Sequence, residues 1–306
     1  MFDHFVWSVV VVPPLIVVVT WLLADRLAPG PAATVLAWSA VGSAVASTIN
    51  LALFAIKAAA EVPVIAGHFD WSHHTIADDT AHVPWVSWLS LAWLIGVAIA
   101  VARRWRHHRR ALDAASAFGA VPAGQQIVMV DDATADAFSI PGPPTRIVVT
   151  TGMRDLLTDA QYAALIAHER AHLSEHHHRL IRLAELAGAA HPALRWVTAQ
   201  IDYLVERAAD ERAATHVGSR RTVAEAIGVA ALSVRAAHPA TDRLHIAARA
   251  GAIPRRVKEL LRPHKAACPP QLGLLPALLA VASIIWTGEA AYDLHELLRA
   301  ARLPTG

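Results

Sequence analysis

The chain has 306 residues, 55% of them hydrophobic and 17% charged, with a mean hydropathy of +0.38. That balance excludes an ordinary soluble domain and points to a membrane protein. The net charge of +2 is unremarkable, so charge matters here through its placement. A single cysteine, Cys268, excludes a disulfide framework and any cysteine-based zinc site.

A bilayer span takes roughly 20 mostly apolar residues as a helix. The first such run is 5–24, uncharged, with Pro13 and Pro14 inside it; prolines are tolerated in membrane helices. No basic segment precedes it and no clear small-residue cleavage site follows, so it reads as a span rather than a secretory signal. The second run, 32–56, contains Asn50 and ends at Lys57. Next comes a loop, 58–82, with no Lys or Arg and four histidines, His68, His73, His74 and His82, among Asp70, Asp78 and Asp79. That mix suits Zn²⁺ or Cu²⁺, and as a hypothesis it is an external metal or pH sensor. The third run, 83–102, starts with an aromatic belt of Trp85, Trp88 and Trp93.

Lys and Arg set the orientation. RRWRHHRR follows the third run at once, and Arg255, Arg256, Lys258, Arg262 and Lys265 precede a fourth run at 269–288. Both ends of segment 103–268 are therefore expected in the cytoplasm of a plasma-membrane protein, with the N-terminus and loop 58–82 outside. The basic run is read as a topology signal against anionic headgroups. No nucleic-acid role is expected of it. The predicted architecture is mainly α: three spans in 1–102, a cytoplasmic α+β domain in 103–268 with its own core, and a fourth span with a short external tail in 269–306.

Inside that domain, QQIVMVDD (125–132) and TRIVVTTG (145–152) read as strands, and AFSIPGPP (137–144) as a loop between them. A capping box, Thr158 with Gln161, opens a helix expected to run toward Leu186. Further helices are expected over 192–215 and 222–236.

The first of these helices carries HERAHLSEHHH, 168–178. His168 and His172 are four apart, so their imidazoles share one helix face a turn apart. Glu169 lies beside the first of them, where a carboxylate can take a proton from a zinc-bound water. His178 has the spacing of a metzincin third ligand. But Glu175 stands where a metzincin has its helix-breaking glycine, and on an unbroken helix His178 points about 600° further round. The better third ligand is Glu206 in YLVERAADERA, 203–213, with Asp210 one turn on to hold a histidine through its other ring nitrogen. The His176–His178 run is read mainly as a solvated polar stretch, with His176 able to line the cleft.

HExxH followed by ExxxD on a later helix resembles the gluzincin integral-membrane metallopeptidases, which include the HtpX and CAAX-prenyl endopeptidases and the BlaR/MecR-type antirepressor peptidases. AFSIPG resembles their loop near the substrate cleft, IVVTTGM their strand into the HExxH helix, and HPATDRL their HPxxxxRI-like stretch. The resemblance covers about 125–245. It implies one Zn²⁺ per chain on His168, His172 and Glu206, which lowers the pKa of its water, with Glu169 as general base. A protein substrate would lie along an edge strand near 138–149. His238 or Arg243 would assist the oxyanion. The layout of three spans, a zinc domain and a fourth span is similar to the BlaR/MecR type, which implies signal-driven cleavage of a cytosolic repressor. After Gly288 only a short tail follows, with no extracellular penicillin-binding domain, so β-lactam sensing is not implied. Alternatives are HtpX-like quality control of membrane proteins and a non-catalytic zinc-stabilised scaffold. The spans carry none of the buried ionisable residues a metal transporter needs.

Overall fold

A computed structural model describes residues 2–79, 83–116, 126–142, 144–237, 243–262 and 269–302. Four helices in it are long and apolar enough to cross a membrane. They are α1 (Phe2–Leu23), α2 (Pro29–Ala60), α5 (Trp85–Ser116) and, after a 3₁₀ turn, α12 (Leu275–Ala300). Two short helices, α3 (Pro63–His68) and α4 (His73–Asp78), connect α2 to α5. The helices outrun the sequence boundaries. α5 continues well past residue 102, and the tail expected after 288 is largely helix.

The ends pair off consistently. Trp71 bridges to Arg302, and Ser72 N–H donates to the Ala301 carbonyl at 2.7 Å, so the α3–α4 connection meets the C-terminal end of α12. At the opposite end Gly273 abuts Leu27. The α1–α2 turn and the approach to α12 thus share one end of the four-helix unit. Small residues let α2 and α12 approach: a Cβ on Gly42 would meet that of Ala280 at 3.3 Å. The buried Asn50 side chain donates to Thr287 Oγ1 at 2.7 Å across the same contact.

The prolines of α1 have a structural consequence. Residues Val6–Val11 form a π-helical turn directly before them. The Val9 carbonyl would take its helical hydrogen bond from residue 13, or from 14 in a π turn. Both are proline and have no N–H. His191 Nε2 donates to that carbonyl instead, at 2.9 Å, and its ring stacks on Trp93 with centroids 5.9 Å apart.

The remaining elements are β1 (Ile127–Val130), β2 (Ala137–Ile140), β3 (Arg146–Thr150), α6 (Thr151–Leu156), α7 (Asp159–Ser174), α8 (His177–Ala190), α9 (Arg195–Val217), α10 (Arg220–Ala237) and α11 (Arg243–Leu261). The sheet order is β1-β3-β2, with β1 parallel and β2 antiparallel to β3. AFSI, expected as loop, is therefore an edge strand. β3 is buried along its whole length, and β2 keeps one edge beyond which no described strand lies. Gly152 follows β3 where a Cβ would sit 2.2 Å from the Ala133 carbonyl oxygen, so only glycine fits there. The Thr158–Gln161 capping box forms and starts α7.

Two expectations are corrected. The helix from Thr158 does not run to Leu186: it stops at Ser174, and His176 takes a left-handed conformation at φ 54°. That costs a non-glycine residue about 1–2 kcal/mol, and no sequence signal marks it. Contacts of the next residue offset it, as described below. Nor is the core of 103–268 wholly its own. The largest buried cluster joins Ile16, Leu36 and Ala40 of α1 and α2 to Ala187 of α8, Leu194 of the turn after it, and Ile201 and Leu204 of α9. A second cluster packs Ala164 and Ala167 of α7 against Ala213 and Val223, and a third seats α7 on the sheet through Ile147, Val149 and Ile166. The α8–α9 hairpin is thus built into the four-helix unit, while α7 and the sheet pack beside it.

Replacing His191 by Ala leaves the buried Val9 carbonyl without a donor, a loss of about 1–3 kcal/mol. Thermal unfolding of the full chain in detergent checks this. The expected result is a clear drop in Tm for His191→Ala, largely relieved by His191→Gln.

Candidate metal centre

α7 presents His168 and His172 on one face, as their i, i+4 spacing requires. α9 crosses it and brings Glu206 opposite. The two Nε2 atoms lie 3.0 Å apart, and the Glu206 carboxylate oxygens lie 3.6 Å from His168 Nε2 and 3.7 Å from His172 Nε2. These three donors all fall within 4.8 Å of one another, the one such group of three among the described residues. Two imidazoles and a carboxylate are a donor set that suits Zn²⁺.

The outer nitrogens are held as well. His168 Nδ1 faces Asp210 Oδ1 at 3.0 Å. His172 Nδ1 faces His177 Nδ1 at 3.1 Å. His177 is buried, and its Nε2 lies 3.3 Å from Glu175, which Arg212 pairs in turn. This is what the left-handed turn at His176 achieves: it swings the first residue of α8 back onto His172. His178 is not part of the donor group, and His176 is exposed rather than lining the site.

Arg256 was not singled out as a site residue by the sequence. In the sequence it stands among several basic residues that precede the fourth apolar run. It lies on α11, a helix the sequence reading did not include. Its guanidinium donates to both oxygens of Asp210, at 2.7 and 2.6 Å, and reaches Glu206 Oε2 at 2.7 Å. Arg220 clamps α11 in place through the carbonyls of Leu260 and Glu259 at 2.9 and 3.1 Å. An amphipathic periodicity in 243–261 was the available signal, obscured by Pro254.

Glu169 is 9% exposed and hydrogen-bonds Ser139 of the edge strand β2. Burial pushes its carboxyl above the ordinary range, with the His168 charge working against it. Burial opposes charge on His168, but Asp210 and Glu206 outweigh it and push the imidazole up to about 10. Burial and the neighbouring His168 charge hold His172 down to about 3. Burial alone would raise Asp210 and Glu206. Arg256 and His168 beside Asp210, and His168 and Arg256 beside Glu206, hold both well below the carboxylate range.

His238 lies outside the described residues, and Arg243 is described only as the first backbone position of α11. In the α3–α4 connection, the His73 and His74 rings lie tilted with centroids 4.1 Å apart, and His68 meets Phe69 edge-on at 5.3 Å. Asp79 pairs with the buried Lys57 at 2.5 Å. These residues form no three-donor group among the described residues, and His82 lies outside them.

Residues 102–238 match Peptidase family M48, a little under half of the chain and the part that carries HExxH and Glu206. The match supports a metallopeptidase. No curated protein and no solved structure matches the chain.

Removing Arg256 leaves two facing carboxylates with their main counter-charge gone. Arg256→Gln is expected to cost about 3–5 kcal/mol, with Arg256→Lys only a partial rescue, because an ammonium cannot span both carboxylates in one plane. Asp210 has a depressed pKa, so its contribution is fully present above the ordinary carboxylate range and is lost as pH falls through and below it. Tm measured from pH 5 downward should fall in wild type as pH drops through and below about pH 4, and fall less in Asp210→Asn.

Proposed function

We propose that the chain is an integral-membrane, zinc-dependent endopeptidase of the gluzincin type, working on protein substrates at the cytoplasmic face of the plasma membrane. The observation that carries this is the convergence of His168, His172 and Glu206 beside the buried carboxyl of Glu169. A structural metal site has no use for that carboxyl. The same three ligands would hold one Zn²⁺, and such an ion polarises a carbonyl and activates water when bound.

The protein groups supply the rest. Asp210 and His177 fix the two imidazoles through their outer nitrogens. Arg256 fixes the two carboxylates. Glu169 takes the proton from water and delivers it to the leaving amine, and its burial gives it a pKa nearer that task. β2 has an edge beyond which no described strand lies, with Ser139 touching Glu169, so an extended peptide added to that edge passes the general base.

The proposed arrangement keeps three spans in 1–102, the peptidase unit in 103–268 and a fourth span in 269–306. A cytosolic transcriptional repressor cleaved in response to an outside signal is the substrate this layout favours. A second reading, quality control of membrane proteins, is favoured by one contact. A Cβ on Gly30, at the start of α2, would lie 3.8 Å from Glu175 and 3.9 Å from Ala208. The site is thus level with the end of a span, within reach of a chain emerging from the bilayer.

Metal content and peptide cleavage test the proposal together. Wild type should hold one zinc per chain, kept in His178→Ala and lost in Glu206→Ala. Glu169→Gln should keep the zinc and lose cleavage by about 10²–10⁴-fold. Zinc that depends on His178 and not on Glu206, or full cleavage without Glu169, would contradict it.

A further inference from the structure

The positive charge along α5 is divided between two faces. Arg109 leans on Trp105, as does Arg182 of α8, with guanidinium carbons 5.9 and 5.7 Å from the ring centroid. On the face defined by the 96, 99, 103, 107 spacing, Arg103, Arg104 and His107 look across a cavity of about 640 Å³ toward Arg195 at the start of α9. Gly96, Ile99 and Ala100 form its apolar floor on α5. One acid lines it, Glu185, already engaged by His108 at 3.0 Å and Arg104 at 3.8 Å. Three guanidiniums therefore meet a single committed carboxylate.

Arg195 makes this more than a topology signal. It lies one turn beyond His191, which stacks on Trp93 in the middle of the apolar run of α5. Its Nε donates to the Gly188 carbonyl at 3.3 Å, which fixes the arm at the cavity. A cation that close to an apolar helix face is costly unless an anion meets it. A headgroup at the Arg rim above an apolar floor is the chemistry of an amphiphile.

We propose that this cavity holds one anionic phospholipid, with its phosphate between Arg103, Arg104 and Arg195 and an acyl chain along Gly96 and Ile99. The inference rests on α5 being a span and not on the peptidase chemistry. The lipid would bridge α5 to the α8–α9 hairpin, both helices of which carry groups of the candidate metal site.

The test uses the delipidated full chain in detergent, titrated with phosphatidylglycerol or phosphatidylcholine and read by native mass spectrometry. One phosphatidylglycerol should bind in preference to phosphatidylcholine. Arg103→Gln with Arg195→Gln should weaken it roughly 30-fold, and Arg103→Gln alone, at an exposed position, about fivefold if the pair fails to fold. Arg109→Gln should change it less than about twofold, because that side chain faces Trp105. Three outcomes would overturn the proposal: equal binding of phosphatidylcholine, an equal effect of Arg109→Gln, or displacement of the lipid by millimolar inorganic phosphate.

Discussion

Asp210 is 1% exposed and holds three elements in register. It accepts two hydrogen bonds from Arg256 and faces His168 Nδ1 at 3.0 Å. A carboxylate buried to that degree is expensive unless every oxygen is met by charge. Meeting it fixes α7, α9 and α11 at once, because each carries one partner. It also fixes the tautomer of His168: with Nδ1 turned to the carboxylate, Nε2 must face Glu206 and His172. The fork of Arg256 extends to Glu206, so the carboxylate donor is aimed by the same group. Remove this contact and two helices, one carrying two of the donors and the other the third, have no reason to hold them 3.6 Å apart.

His172 is oriented by a different device. Its outer nitrogen meets an imidazole whose tautomer Glu175 sets: His177 Nε2–H donates to that carboxylate, so His177 Nδ1 is left as the acceptor for His172 Nδ1–H. The left-handed His176 is the conformational cost of the arrangement. It also redirects the chain. α8 leaves the site at a new angle and packs between α2 and α5, ending at the Val9 carbonyl that two prolines have stripped of donors. The candidate metal centre and the four-helix unit thus share one piece of chain. Neighbouring arginines repeat the theme: Arg256 turns into the site, while Arg255 covers the Tyr203 ring at 3.9 Å and pairs with Asp25 between α1 and α2. A shift of α1 against α2 would be felt at both.

What was legible in the sequence is what depends on local spacing. His168, Glu169 and His172 on one helix, the ExxxD pair at Glu206 and Asp210, the Thr158 cap and the long apolar helices all follow from periodicities of a few residues. What was not legible depends on distant partners. Nothing in LSEHHHRL signals a break, since neither glycine nor proline occurs there, and only the contacts of His177 show what offsets its cost. Arg256 looks like its basic neighbours until the fold shows which way it points. AFSI is too short and too close to Pro141 to be read as a strand without β3 beside it. The shared core of α8 and α9 with α1 and α2 was hidden for a related reason: the hairpin's apolar stripe is compatible with any apolar partner.

The central claim is that two imidazoles and one carboxylate, not three imidazoles, hold the metal. X-ray absorption at the zinc edge of the loaded full chain tests it most directly. The predicted spectrum has two imidazoles at about 2.0–2.1 Å and the remaining ligands oxygen, with no sulfur. Three imidazoles in the shell would mean that His177 or His178 is a ligand, and would contradict the account.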